Sequence, residues 1–183
     1  MFIYLFNNAW FDYRKHVDHN GINWFEHAKR AIYANREYCI NRSEEYLNEY
    51  NWGLAAGDTP NGYQVYGASP MNEQTSERME NDFEGTTQQY AILGSLPFHP
   101  KIVEKSVEYL YNDYPESFGK YGFSDGMNLK DNQAWFCPNY LGLDKGITAI
   151  MIDNYYYGTT WKYYQRSELV QKAIKRLGFR KDN

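Results

Sequence analysis

The sequence predicts an all-α domain with short β-hairpin-like loop arms. Three observations carry this: helical-period stripes behind recognisable start signals, two stretches almost without charge, and strand-period alternation confined to two short pieces. Asn23, with Glu26 three residues later, makes a capping-box-like start. Trp24, Ala28, Ala31, Ile32 and Cys39 follow at helical spacing, which predicts a helix over 24–40. Pro100 suits a first helical turn, and Ile102, Val103, Ser106, Val107, Leu110, Tyr111 and Tyr114 form one stripe behind it. Ser167 is positioned to cap a last helix whose Leu169, Val170, Ala173, Ile174 and Leu177 face inward before Gly178.

Two segments read as enclosed inner helices. Thr86 to Leu96 carries no charge, and Gly146 to Tyr157 is apolar or aromatic almost all round. Enclosed helices alternating with amphipathic ones are what a double ring of helices requires. Alternation near Tyr63 to Tyr66 and Tyr121 to Phe123 marks short strands or extended arms.

Composition narrows the function classes. The chain has 183 residues, enough for one domain (1–183) with a real core, and its 19% aromatic content gives that core bulk despite a mean hydropathy of -0.77. A net charge of -4 and scattered basic residues supply no field for nucleic acid. No apolar stretch reaches the ~20 residues that cross a bilayer, and Met1 to Phe6 lacks the basic flank of a signal peptide. Cys39 and Cys137 have no metal or redox spacing and read as buried thiols. His16, Asp18 and His19 fit a solvated turn better than a metal site, and no cofactor is called for.

The chemistry-bearing residues gather in loops. Asp58 lies among Trp52, Tyr63 and Tyr66, and the run Lys120 to Asn128 repeats the recipe with Tyr121 and Asp125. Apolar rings beside carboxylates suit a sugar, which has C–H faces and a hydroxyl edge. Trp52, Tyr63, Tyr66, Tyr121 and Trp135 are the candidates for stacking on pyranose faces, with core packing the alternative for each. Glycoside hydrolysis needs two placed carboxyls, one to protonate the leaving oxygen and one to activate water or attack carbon. Asp144 stands at the start of an enclosed helix, where the dipole favours its ionised form, as a base, a hydroxyl acceptor or simply a cap. Lys145 beside it is expected to lower its pKa further. Asp58 is the second catalytic candidate, with an Asx-type turn as its alternative; Glu84 and Asp125 are weaker, substrate-binding ones, and Lys145 is a further substrate-binding candidate.

The ordered strings carry a family resemblance. W-G-L-A-A-G-D (Trp52 to Asp58) with G-Y-x-x-Y-G, then A-x-L-G-S-L-P-F-x-P (Ala91 to Pro100), G-K-Y-G-F-x-D-x-x-N (Gly119 to Asn128), Y-L-G-L-D-K-G-I (Tyr140 to Ile147), M-I-D-N-Y and L-G-F follow one another. Together they resemble the C-terminal half of the glucoamylase-like family, which includes endo-β-1,2-glucanases and a domain of cyclic β-1,2-glucan synthases. Trp10 to Arg14 is similar to that family's W-x-D-F-R segment. The resemblance implies about half of an (α/α)6 toroid, and a β-glucan or oligosaccharide partner with β-1,2 linkage. It also implies a periplasmic or secreted setting, and that a missing N-terminal half holds most of the catalytic acids. This half would then supply mainly the substrate-binding wall and be inactive alone, with a dimer or the missing half covering its exposed seam. A non-catalytic glycan-binding module and a helical assembly protein stand as alternatives. The chain departs from the family at Lys145, where glutamine is usual, and at Tyr156, where arginine is usual.

Overall fold

The computed structural model describes residues 1–42, 44–65, 84–130 and 133–182, and within them helices do most of the packing while short strands organise the loops. The largely apolar α1 (Phe2–Trp10) buries Leu5, Asn8 and Ala9. After β1 (His16–Val17), α2 (Trp24–Asn41) starts where the capping pattern predicts: the Asn23 side chain accepts hydrogen bonds from the Phe25 and Glu26 amides. Its Phe25, Ala28, Ile32 and Cys39 recur on the buried side.

β2 (Ala56–Thr59) and β3 (Gly62–Val65) form an antiparallel hairpin that sets Asp58 opposite Tyr63. Gly62 turns it with a φ of 90°, in the left-handed region open to glycine. The Thr86 to Leu96 expectation is corrected here. Thr86, Thr87 and Gln88 form β4 (Thr86–Gln88), and only five residues make α3 (Gln89–Leu93). Enclosure was read correctly, since β4 is wholly buried, but β-branched Thr86 and Thr87 pair as a strand instead of coiling.

Pro100 occupies the first turn of α4 (Pro100–Asp113), which buries Val103, Ser106 and Leu110. β5 (Phe118–Gly119) pairs with β6 (Gly122–Phe123), and β4, β7 (Gly126–Asn128) and β8 (Trp135–Phe136) make a three-stranded antiparallel sheet in that order. α5 (Gly142–Tyr156) buries Asp144, Ile147, Met151 and Asn154. Its end is exposed at Tyr155, Tyr156 and Tyr157, so it is enclosed on one side instead of all round. Gly158, at φ 64°, separates it from α6 (Thr159–Tyr164), and α7 (Glu168–Arg176) follows. Ser167 makes no side-chain cap, and Leu169 and Leu177, expected inward, are exposed. β9 (Arg180–Lys181) returns to pair with β1.

The architecture is therefore helix-rich with small sheets. Leu5, Ile32, Trp52, Ile92, Leu110 and Met151 sit in one continuous core that joins the helices to the base of the hairpin. The hairpin backbone lies directly on the three-stranded sheet: the Gln88 side-chain amide donates to the Asp58 carbonyl at 3.1 Å. A Cβ at Gly126 would come within 2.5 Å of that same carbonyl. Glycine is required there because backbone meets backbone.

Candidate active site

The β2–β3 hairpin and the loop between β6 and β7 bring carboxylates to the first turn of α5, which itself carries Asp144. Asp58 comes from β2, and its Oδ2 accepts from the Cys137 thiol at 3.6 Å and from Asn139 Nδ2 at 3.5 Å. Asp125 lies between β6 and β7 and is fully buried. One of its oxygens accepts the Leu141 amide hydrogen, and the other is 2.7 Å from Lys145 Nζ. Lys145 Nζ also donates to the Phe123 carbonyl.

Asp144 differs from both. It is 2% exposed, and its Oδ2 has no hydrogen-bond partner; Asp125 Oδ1 also lacks a hydrogen bond but has the Lys145 ammonium against it. Burial raises its pKa to about 7, the charges of Asp125 and Asp58 push in the same direction, and Lys145 opposes them. This corrects the expectation of a carboxylate kept ionised by the helix dipole and by Lys145. Lys145 does act in the expected direction, but its ammonium is bound to Asp125, so desolvation prevails.

Tyrosines border the acids. Tyr63 is 51% exposed on the hairpin, and its pKa is raised by burial, then by Asp144 and Asp58. Tyr90 donates from its hydroxyl to the Ala56 carbonyl at 2.7 Å, and burial followed by the Asp144 charge drives its pKa up. Tyr121, 61% exposed, meets Tyr140 edge to face at 5.3 Å between ring centres, and Lys145 Nζ lies 5.0 Å from the Tyr140 ring centre.

Asp58, Tyr63, Asp125, Asp144 and Lys145 thus come together, with Tyr121 reaching the group through Tyr140. Glu84 and Trp135 line a neighbouring 510 Å3 cleft with Pro60, Asn61, Asn128 and Lys130. Glu84 also has a local role, accepting from the Thr86 amide and from the Asn128 side chain. Trp52 is a correction: it is wholly buried, its Nε1 donating to Ser106 Oγ at 3.0 Å, so no sugar can stack on it. Tyr66 lies outside the described residues. Tyr90, Asn139 and Tyr140 were missed by sequence reasoning. Tyr140 opens the Y-L-G-L-D run and offered a positional signal, whereas nothing local distinguished Tyr90 from core. Among the described residues, no group of three or more His, Cys, Asp or Glu is arranged to hold a metal ion.

A helix-rich scaffold whose β-arms and helix start converge on buried acids belongs to the glucoamylase-like class of folds. The chain is a member of the Glycoamylase family ("Putative glucoamylase"), whose model matches residues 1–168. It is 30% identical over 158 residues to the exo β-1,2-glucooligosaccharide sophorohydrolase (non-reducing end) of Parabacteroides distasonis, covering 85% of this chain and 20% of that protein. It is also similar to the endo-β-1,2-glucanase of Chitinophaga pinensis, solved with sophorotriose and glucose. That match has a TM-score of 0.85 and 27% identity, and covers 98% of this chain and 40% of the other. A β-1,2-glucanase of Parabacteroides distasonis matches with a TM-score of 0.82 and 29% identity, over 97% of this chain and 24% of its own. In each case this chain spans less than half of the relative's length.

Proposed function

We propose that this chain is part of a glycoside hydrolase acting on β-1,2-linked glucan, in which it supplies mainly the substrate-binding wall and one proton-exchanging carboxyl, Asp144. The observation that carries this reading is the buried, unpartnered Asp144 Oδ2 among Asp58 and Asp125 beside exposed tyrosines. A carboxyl with a midpoint near 7 populates both its forms at neutral pH, which is what a general acid or base requires. Asp58, held by a thiol and an amide, is suited to accept sugar hydroxyls. Tyr63 and Tyr121 offer ring faces, and the cleft at Trp135 and Glu84 is a second place along a glucan chain.

Glycoside hydrolysis takes a second carboxyl across the scissile bond. In this reading the helices described here make about half of an (α/α)6 toroid, and the partner carboxyl belongs to the other half. The likeness to β-1,2-glucan hydrolases over nearly the whole of this chain supports the substrate class.

Calorimetric titration of β-1,2-gluco-oligosaccharides into the 183-residue chain tests the wall. Binding tighter than about 1 mM, weakened at least about tenfold by Tyr63→Ala, is expected, with no sugar released. Equal affinity for Tyr63→Ala and the natural chain would overturn it.

A further inference from the structure

Lys145 follows Asp144 directly in the chain yet does not pair with it. Its ammonium reaches back across the loop to Asp125 Oδ1 at 2.7 Å and donates to the Phe123 carbonyl. The other oxygen of Asp125 accepts the amide hydrogen of Leu141, the residue that begins α5. Leu141 and Lys145 are themselves joined, the Lys145 amide donating to the Leu141 carbonyl at 3.0 Å. The loop at 123–125 is thereby clasped to the helical turn that carries Asp144.

We infer that Lys145 is a positioning residue for the site, fixing the turn that presents Asp144 and, by neutralising Asp125, setting the pH at which Asp144 changes charge. This rests on the reading of Asp144 as the proton-exchanging carboxyl. The groups that face Asp144 are Asp58 and Tyr63 from the hairpin, Tyr90 from α3, Asp125 from the loop before β7, and Lys145 from its own helix. Cys137, after β8, stands against Asp58. Lys145 is the cation in this set. With it removed, the buried Asp125 carboxylate loses its ion pair beside Asp144, and Asp144 holds its proton to higher pH.

Carboxyl 13C NMR titration of the whole chain, with the Asp144 signal assigned by its loss in Asp144→Asn, reads this directly. Lys145→Gln is expected to raise the Asp144 midpoint by about one pH unit, and Lys145→Arg, which keeps the charge, to hold it within about half a unit. A folded Lys145→Gln with an unmoved midpoint would overturn the inference. Asp125→Asn removes the opposing charge and leaves Lys145 free to act on Asp144, so its midpoint should fall. That variant decides the matter if Lys145→Gln does not fold, and a midpoint that fails to fall in it also overturns the inference. A natural-chain midpoint in the ordinary carboxylate range would remove Asp144 from the proposed chemistry. A rise from that lower value in Lys145→Gln would still support the role of Lys145.

Discussion

Two buried aspartates stand beside the starts of two helices, and their surroundings are opposite. Asp18, before α2, accepts from the Asn20 and Ile22 amides at 2.9 Å each and from Trp24 Nε1 at 3.2 Å. Its pKa is lowered, first by the Ile22 amide. Asp144, in the first turn of α5, has an oxygen with no donor and a pKa raised by burial. Asp18 is 6% exposed and Asp144 2%. At Asp144 desolvation is the first cause of the shift, whereas at Asp18 the donated hydrogen bonds outweigh it. The start of α2 is also capped by Asn23, whereas Leu141 at the start of α5 has no side-chain cap. The satisfied carboxylate stabilises a turn, and the unsatisfied one is the group to which the proposed function assigns proton exchange.

The largest expected effect is at Asp144. Its folded pKa, about 7, lies above the ordinary value of 3.8, so between those two the folded chain keeps a proton that the unfolded chain has released. Stability from this residue is therefore full below about 4 and declines as pH rises to about 7, by at most on the order of 4 kcal/mol. Asp144→Asn should flatten that decline, measured by urea unfolding at pH 5 and pH 8. Parallel behaviour of the variant and the natural chain at both pH values would break the comparison.

Asp18 should show the reverse sign. Its depressed pKa contributes stability that is present above the ordinary carboxylate value and lost as pH falls through the lower, folded value. Asp18→Asn should be less stable than the natural chain at pH 7, and the two should converge near the acid limit of the same unfolding series. Asn23→Ala should cost about 1 kcal/mol at both pH 5 and pH 8, because a cap with no titrating group has no reason to respond to pH. A pH-dependent cost there would mean that the 3.4 Å contact from Asn23 Nδ2 to the Asp182 carboxylate couples the α2 start to charge.

The same contrast explains what the sequence disclosed. Asn23 and Glu26 announced α2, and Pro100 announced α4, because capping and first-turn chemistry act within a few residues. Asp58, Asp125, Asp144 and Lys145 were legible as candidates because turn residues or a helix start surround them in the sequence, although Asp58 falls on β2. Their states were not legible. Lys145 adjoins Asp144 in the chain, but its partner is Asp125, twenty positions earlier, and only the folded loop creates that pairing. Trp52 misled for a related reason: it stands in turn chemistry beside Asp58, but its ring enters the core and its Nε1 finds Ser106 on α4. Thr86 to Leu96 revealed its burial through missing charge, whereas its strand pairing depends on the distant Gly126 to Asn128.

The smallest expected effect on stability is also the sharpest separation of the two regions. Tyr63 is half exposed above the acids, and Trp24 is 37% exposed beside Asp18. Tyr63→Leu should change stability by no more than about 0.5 kcal/mol, since half of the tyrosine stays in water and leucine keeps apolar cover for the rest. Trp24→Phe loses the Nε1 donor to a carboxylate and should cost more. A ligand that binds only the folded chain stabilises it by RT ln(1 + L/Kd), where L is the free ligand concentration, so tighter binding gives a larger rise in melting temperature. At one fixed concentration β-1,2-gluco-oligosaccharide should therefore raise the melting temperature of the natural chain and of Trp24→Phe alike, and that of Tyr63→Leu clearly less. Loss of the shift in Trp24→Phe with retention in Tyr63→Leu would place the sugar at the α2 start, against the aromatic wall proposed at α5.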